Sequence, residues 1–442
     1  LLGYYFIGNS TSATGAEKRA RGIMSRWLIL FLSSVTMQAT DWPQWRGPNR
    51  DGAWNETGIL QSFPVGGLKV RWRVPIGPGW SSPIVVRGRV YLTDMRLAQP
   101  KAWERIQCFK ESNGKKLWSR EWELVYPDWA FIPEHGGGPA ATPIVENGKI
   151  YSLGRKGTVD CLDAQSGKII WEVQLGRKYE IAELSCRGSP LIDENLLIVF
   201  TGGKPGACLV ALDKHTGREV WKALEDSVSN SSPLIVTAGG ERQLIVWTAQ
   251  AVNSLNPETG ETWWRIPMTT SNNDSIPTPV VQKNRLLISG LMLELESTKP
   301  EAKVLWPETM TASKRLLSNT STPLLHGDCV YSAKSSGELV CLDAVTGKQL
   351  WGTSNVTELK SGASIHLTPN RNATFLFTDE GNLIIAQLTS DGFHEMDRVR
   401  LLKPTSVLGP RRFTWAPPAY ANRCIFARND EELICASLEG KR

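Results

Sequence analysis

An eleven-residue unit, small-x-Asp-x-x-x-Gly-x-x-x-Trp, returns along this 442-residue chain and leaves little freedom in how it folds. It reads Cys161-Leu162-Asp163 to Gly167 and Trp171, Ala211-Leu212-Asp213 to Gly217 and Trp221, and Cys341-Leu342-Asp343 to Gly347 and Trp351. Looser copies run from Cys108 through Gly114 to Trp118, and from Ser254 through Gly260 to Trp264. A second signal, a small or hydroxyl residue before Pro and an apolar run, accompanies each copy at Pro83, Pro143, Pro190, Pro233, Pro279, Pro323, Pro369 and Pro418. Those prolines lie 43 to 60 residues apart, the repeat length of four-stranded propeller blades. An all-β, eight-bladed propeller follows.

Within a unit the strands can be read in order. An apolar run after Pro is followed by a turn such as Glu146-Asn147-Gly148, then a second strand such as Lys149 to Leu153. A Gly turn leads to a third strand, and the Asp-x-x-x-Gly segment makes the last turn, where Asp can bond its own backbone and Gly can take positive φ. The outer strand carries Trp. From that edge an indole can lie on the glycine peptide of the adjacent blade, so Trp72, Trp118, Trp171, Trp221, Trp264, Trp306 and Trp351 are expected to staple neighbouring blades. Two units depart from the pattern. The fifth has lost its Asp–Gly turn, and the seventh has Ala386, Gly392 and Met396 where Trp is due. The eighth, from Pro418, ends before an outer strand, and Leu68 to Val74 supplies one from the other end of the chain. Closing the ring with both ends removes the exposed sheet edges of an open fan.

The chain divides into residues 1–39, a leader at 40–67 and one propeller at 68–442. Residues 1–23 read as an over-extended start. Starting at Met24, the basic Arg26, the apolar run Trp27 to Leu32 and the small residues to Ala39 match a secretory signal. Export to a periplasm-like space is expected, without a transmembrane segment after signal removal. The formal charge of +6 falls to about +3 without residues 1–39, too weak and dispersed for nucleic acid. Of eight cysteines, Cys108, Cys161, Cys341 and Cys435 fall in the small slot of the repeat and read as packing residues. Cys424 and Cys435 form a disulfide candidate across the last hairpin.

In a propeller, the loops leading into the innermost strands crowd one mouth of the channel. Those loops carry Trp80, Glu134, His135, Arg187, Asn230, Asn273, Asp274, Asn319, His366, Arg412 and Trp415. Aromatics, amides, histidines, arginines and acids converging there suit an anionic, planar or sugar-like ligand, or a peptide. His135, in Pro133-Glu134-His135-Gly136-Gly137-Gly138, sits in the most site-like loop. Glu134, His135 and His366 lack metal-ligand spacing. The sequence contains no P-loop, zinc-protease helix, nucleophile elbow or paired-cysteine zinc motif.

The repeats resemble the pyrroloquinoline-quinone-type propeller repeats of quinoprotein alcohol dehydrogenase-like proteins. Their tryptophan-docking motif, Ala-x-Asp-x-x-Thr-Gly-x-x-x-Trp, is matched at every specified place by Ala211 to Trp221. The resemblance covers about 68–442, and Asp41 to Gly52 looks like the leader that precedes such propellers in envelope proteins. It implies either of two functions. One is an exported, non-catalytic, monomeric scaffold that binds an envelope protein or a polysaccharide through its channel mouth, with no cofactor and no catalytic residue. Outer-membrane barrel-assembly lipoproteins share this fold, although no cysteine follows the expected signal cut. The alternative is a dehydrogenase of alcohols or sugars using pyrroloquinoline quinone (PQQ) and calcium, with Asp274 or Glu134 as conceivable ion ligands. Such enzymes imply adjacent cysteines over the quinone, often a Cys-x-x-Cys-His haem site, and long insertions between blades. No two cysteines are adjacent here and no such haem site occurs, which favours the scaffold.

Overall fold

The computed structural model describes residues 40–132, 138–269, 275–308 and 317–440. These form eight antiparallel sheets of four strands each, plus a two-stranded hairpin, Ser406–Leu408 with Arg411–Phe413. Each sheet is a blade whose strands run outward in chain order, as in Ile144–Glu146, Lys149–Leu153, Thr158–Asp163 and Ile169–Gln174 of the second. The eighth blade breaks that order. Its Ala419–Ala421, Cys424–Arg428 and Glu432–Ser437 are completed on the outside by Val70–Pro75, with Trp72 opposite Cys435. The fold is therefore the expected eight-bladed propeller, closed by a strand from before the first repeat.

Local chemistry explains the blade hairpins. In the second blade Asn147 and Gly148 take φ of 48° and 77°, the pair of left-handed residues that a two-residue hairpin turn requires. In the last turn Asp163 Oδ1 accepts from the backbone N–H and hydroxyl of Ser166, at 2.7 and 2.6 Å. Asp213 with Thr216 and Asp343 with Thr346 repeat the arrangement. The 60-residue spacing of the first unit reflects its long strands, Arg89–Ala98, Lys101–Lys110 and Lys116–Val125. Middle strands are apolar on both faces because blades stack face to face, so Leu197, Ile198 and Val199 in succession are all buried.

At the blade seams, Trp171 lies across the third blade's turn. Its indole N–H donates to the Lys214 carbonyl at 3.2 Å, and a Cβ added to Gly217 would stand 2.8 Å from its ring. Trp72 on Gly114, Trp118 on Gly167, Trp221 on Gly260 and Trp306 on Gly347 have the same geometry. Trp264 differs, because the fifth blade has no glycine turn to receive it. Its N–H turns back to Gln243 Oε1 of its own blade, at 2.9 Å. Trp351 donates to the Thr389 carbonyl at 2.9 Å, with no glycine beneath, since Gly392 has open space at its Cβ position. In the seventh blade a bulge sets Asp397 opposite Ile385, as Trp171 stands opposite Cys161. Asp397, one residue beyond Met396, therefore occupies the place of Trp. Its Oδ2 accepts from the Phe63 backbone N–H at 2.6 Å, so the leader, not an indole, covers that seam.

All eight cysteines are buried free thiols. Cys424 faces Ser437, and Cys435 faces Phe426. The two thiols are thus diagonal, not opposed, and the disulfide candidate is a pair of packed thiols. Among the described residues no helix is long and apolar enough to cross a membrane.

Candidate functional site

The leader does more than precede the ring. Trp42 exchanges both backbone hydrogen bonds with Val85 of the first blade, and the Pro43 carbonyl accepts from Val145 of the second. Trp45 reaches across to the fifth blade, where its indole N–H donates to Thr278 Oγ1 at 2.8 Å. Arg50 donates to the Pro190 and Ser189 carbonyls of the third blade, and Trp54 N–H to the Pro369 carbonyl of the seventh. First and fifth blades are opposite in an eight-membered ring, so residues 42–54 cross the central channel and block it.

Above this plug runs a belt of hydroxyls from the residues that precede seven of the eight repeat prolines. A residue before proline is held extended, which presents its side chain to the neighbouring blade. Ser82 N–H donates to Thr142 Oγ1 at 2.9 Å, Thr142 N–H to Ser189 Oγ at 3.0 Å, and Ser189 N–H to Ser232 Oγ at 3.0 Å. Thr278 N–H donates to Thr322 Oγ1 at 3.1 Å, and Ser82 Oγ joins the first blade to the Pro417 carbonyl of the eighth at 2.8 Å.

Plug, belt and mouth loops enclose a cup of about 460 Å³. The leader supplies Trp42, Trp45, Arg46 and Gly52 to it, and the belt supplies Ser82, Ser189, Ser232, Thr322 and Thr368. Of the residues the sequence pointed to, Trp80, Arg187, Asn230, Asn319, His366 and Trp415 come together in its lining. Arg412 does not. It is exposed on the Arg411–Phe413 strand, where it bonds the Thr405 carbonyl, because the hairpin turns Phe413 inward instead. Glu134, His135, Asn273 and Asp274 lie outside the described residues. The leader and belt residues were not anticipated. The one signal for them was the recurrence of Ser or Thr before proline, read as a strand start rather than as a lining.

Two arginines, Arg46 and Arg187, line the cup. Arg46 donates to the Arg50 and Asp51 carbonyls, and a Cβ at Gly52 would come within 2.8 Å of its guanidinium. Glycine at that position lets Arg46 lie flat over the plug. Burial pushes Arg46 down to about 10, with Asp51 opposing, and Arg50 down to about 9, where the Arg46 charge adds to burial. Both remain cationic at neutral pH. Arg187 stands over the Trp80 ring at 5.9 Å. His366 Nε2 donates to the Trp415 carbonyl at 2.8 Å, which leaves Nδ1 as an acceptor. Burial pushes its imidazole down to about 4, so it is neutral. Trp415 stacks on Phe413 at 4.7 Å, meets Trp80 at 5.9 Å and 76°, and donates its N–H to the Gly362 carbonyl at 3.2 Å.

Calcium takes six to eight oxygen ligands, carboxylates prominent among them. The described lining offers hydroxyls, amides, an imidazole and two guanidinium groups, and no carboxylate. Nor does any cluster of three acidic, histidine or cysteine side chains suit a metal ion among the described residues. Glu134 and Asp274, the acids the sequence offers as ion ligands, lie outside the described residues.

A family model described as "Outer membrane protein assembly factor BamB" matches residues 102–292 and 294–400. Outer membrane protein assembly factor BamB of Burkholderia pseudomallei is 26% identical over 240 residues, which cover 50% of this chain and 58% of that protein. Quinoprotein alcohol dehydrogenase PedH of Pseudomonas putida is 33% identical over 159 residues, 32% of this chain and 25% of that protein. This chain thus spans less than two thirds of the length of either relative. Among solved structures, BamB from Moraxella catarrhalis superposes with a TM-score of 0.56 at 16% identity, covering 84% of this chain and 99% of that one. Quinohemoprotein alcohol dehydrogenase from Comamonas testosteroni gives 0.61 at 14% identity, covering 91% and 81%. At such identities the likeness is one of fold.

Proposed function

The chain belongs to the family described as outer membrane protein assembly factor BamB, and from that membership we propose that it is an exported, non-catalytic propeller of the cell envelope. It works as a monomeric scaffold that holds a partner at the channel mouth. The observation that carries this reading is the cup. It is a cavity of ligand-binding size, blocked below by the leader and lined by hydroxyls, amides, indoles and two guanidinium groups. Those groups bind and orient; none of them is paired as a nucleophile with a base. Dehydrogenases share the repeat and the fold, but a fold does not carry a reaction with it.

Photocrosslinking in cells tests the reading. A crosslinker placed at Asn319 or Val407, both in the cup wall, is expected to capture one envelope component. The same group at Ile170 or Leu350, exposed on outer strands, should capture none. Equal capture from cup and rim, or calcium-dependent saturable binding of PQQ, refutes it.

A further inference from the structure

Independently of what the cup holds, we infer that the opposite end of the ring docks on an anionic lipid surface. The cup lies where loops enter the innermost strands. The turns that leave those strands, and the turns before the outer strands, lie at the other end. Net charge is small along the sequence, but the fold sorts it there. Lys69 and Arg71 come from the closing strand and the residue before it, and Arg87, Lys110, Lys115 and Lys116 from two turns of the first blade. Lys168 comes from the last turn of the second, and all seven are exposed. The seams set these pieces side by side. Trp72, next to Arg71, donates to the Glu111 carbonyl, and Trp118 to the Ala164 carbonyl.

Among the described residues no acid pairs with any of these cations; Lys116 Nζ reaches Gln107 Oε1 at 3.4 Å. The acids of the same turns are half-buried and engaged. Asp41 accepts from the Arg87 backbone N–H, Glu111 from Asn422, and Asp163 from Ser166. No acid is exposed in the turns at 87–88, 110–116, 147–148 and 165–168. Further round the same end the pattern changes. Arg242 is paired with Asp193 and Glu194, and Arg285 with Asp328 at 3.0 Å, while Glu241, Glu258 and Glu261 stand exposed on the fourth blade. An anionic surface therefore meets this end tilted onto the first two blades. The kind of partner follows from the side chains. Five of the seven cations are lysines, and the exposed residues between them include Ser112, Asn113, Asn147, Gln165 and Ser166. Protein interfaces are depleted of lysine and centre on aromatic or arginine anchors in desolvated pockets. Those turns expose no aromatic residue. An ammonium on a flexible stem is a hydrated point charge, suited to a diffuse layer of anionic headgroups, where each Lys or Arg is worth roughly fivefold in partitioning. Docked this way, the cup opens away from the bilayer.

The test is sedimentation of the full chain with vesicles of phosphatidylcholine, alone or with about 30 mol% phosphatidylglycerol, at about 0.1 M and about 0.5 M salt. Binding is expected to the anionic vesicles only, and to be lost at the higher salt. The triple variant Lys110→Gln, Lys115→Gln, Lys116→Gln, checked for unchanged melting, should partition about a hundredfold more weakly, from three factors of roughly five. Glu258→Gln with Glu261→Gln, on the acidic flank, should bind at least as tightly as the parent chain. The inference is overturned if anionic vesicles do not bind, if neutral ones bind as well, or if binding survives the higher salt. A triple variant that partitions like the parent places the binding elsewhere in the chain and also overturns it. Binding of soluble polyphosphate without binding of vesicles would reassign the patch to an acidic polymer. None of these variants alters a cup residue, so failure here leaves the scaffold reading standing.

Discussion

Three glycines separate what the indole contributes at a blade seam from what backbone strain contributes. Gly217 has φ of +74°, and an added Cβ would stand 2.8 Å from the Trp171 ring. Gly148 has φ of +77° and nothing within 4 Å. Gly392 has neither a left-handed φ nor a neighbour. Alanine at Gly392 should therefore be neutral or stabilise by about 0.4–1 kcal/mol, through the unfolded chain. Gly148→Ala should cost the left-handed penalty alone, roughly 1–2 kcal/mol. Gly217→Ala adds overpacking of about 1–3 kcal/mol, which totals about 2–5 kcal/mol. The assay is urea unfolding followed by far-UV circular dichroism, with midpoints compared at constant slope. If Gly217→Ala and Gly148→Ala shift the midpoint equally, the indole contact contributes nothing and the staple is only geometry.

Trp171→Ala should lower stability by about 3–5 kcal/mol while ligand affinity at the cup stays unchanged, measured below the melting transition; a selective loss of affinity would contradict the seam role. Asp160 is buried, with Oδ1 unpartnered and Glu172 opposite in register, and burial first and Glu172 second push its carboxyl well above the ordinary range. The native state thus holds that proton to higher pH than the unfolded chain, so stability falls as pH rises from about 4. Asp160→Asn should raise Tm more at pH 8 than at pH 4, and an equal gain at both would refute the sign. His366 behaves oppositely. With its native pKa pushed down to about 4 from 6.5, the unfolded chain takes the proton first, and stability is lost as pH falls through that window. His366→Gln should flatten this part of the Tm–pH curve.

The sequence announces the ring because a blade is local: Asp213, Gly217 and Trp221 sit within one turn and one strand. Ring closure was also legible, since Leu68 to Val74 carries the alternation and the Trp of a missing outer strand. In the seventh blade the residue standing for Trp was misplaced by one, because a bulge moves Asp397 into register and nothing in the spacing of Met396 reveals a bulge. Part of the cup wall was visible as loop residues that vary between repeats. Its floor was not. Trp45 and Thr278 are 233 residues apart, and Asp41 to Gly52 has no periodicity from which a strand or helix could be read. A segment with no regular structure of its own takes its conformation from what surrounds it, and that information is spread over six blades.

The leader's position also sets an order of assembly. A chain made from its N-terminus presents residues 42–54 long before most of their partners exist. Trp45 waits for Thr278, and the Trp54 carbonyl waits for Asn370, 316 residues further on. Such distant pairings carry the loop-closure cost that slows folding. The blades can pair as they are made, but the cup has no floor until the ring around it is nearly complete. Recognition is thus the last property this protein acquires on folding. The reverse also holds: clipping or displacing a dozen residues at the axle should abolish binding while the wheel still stands.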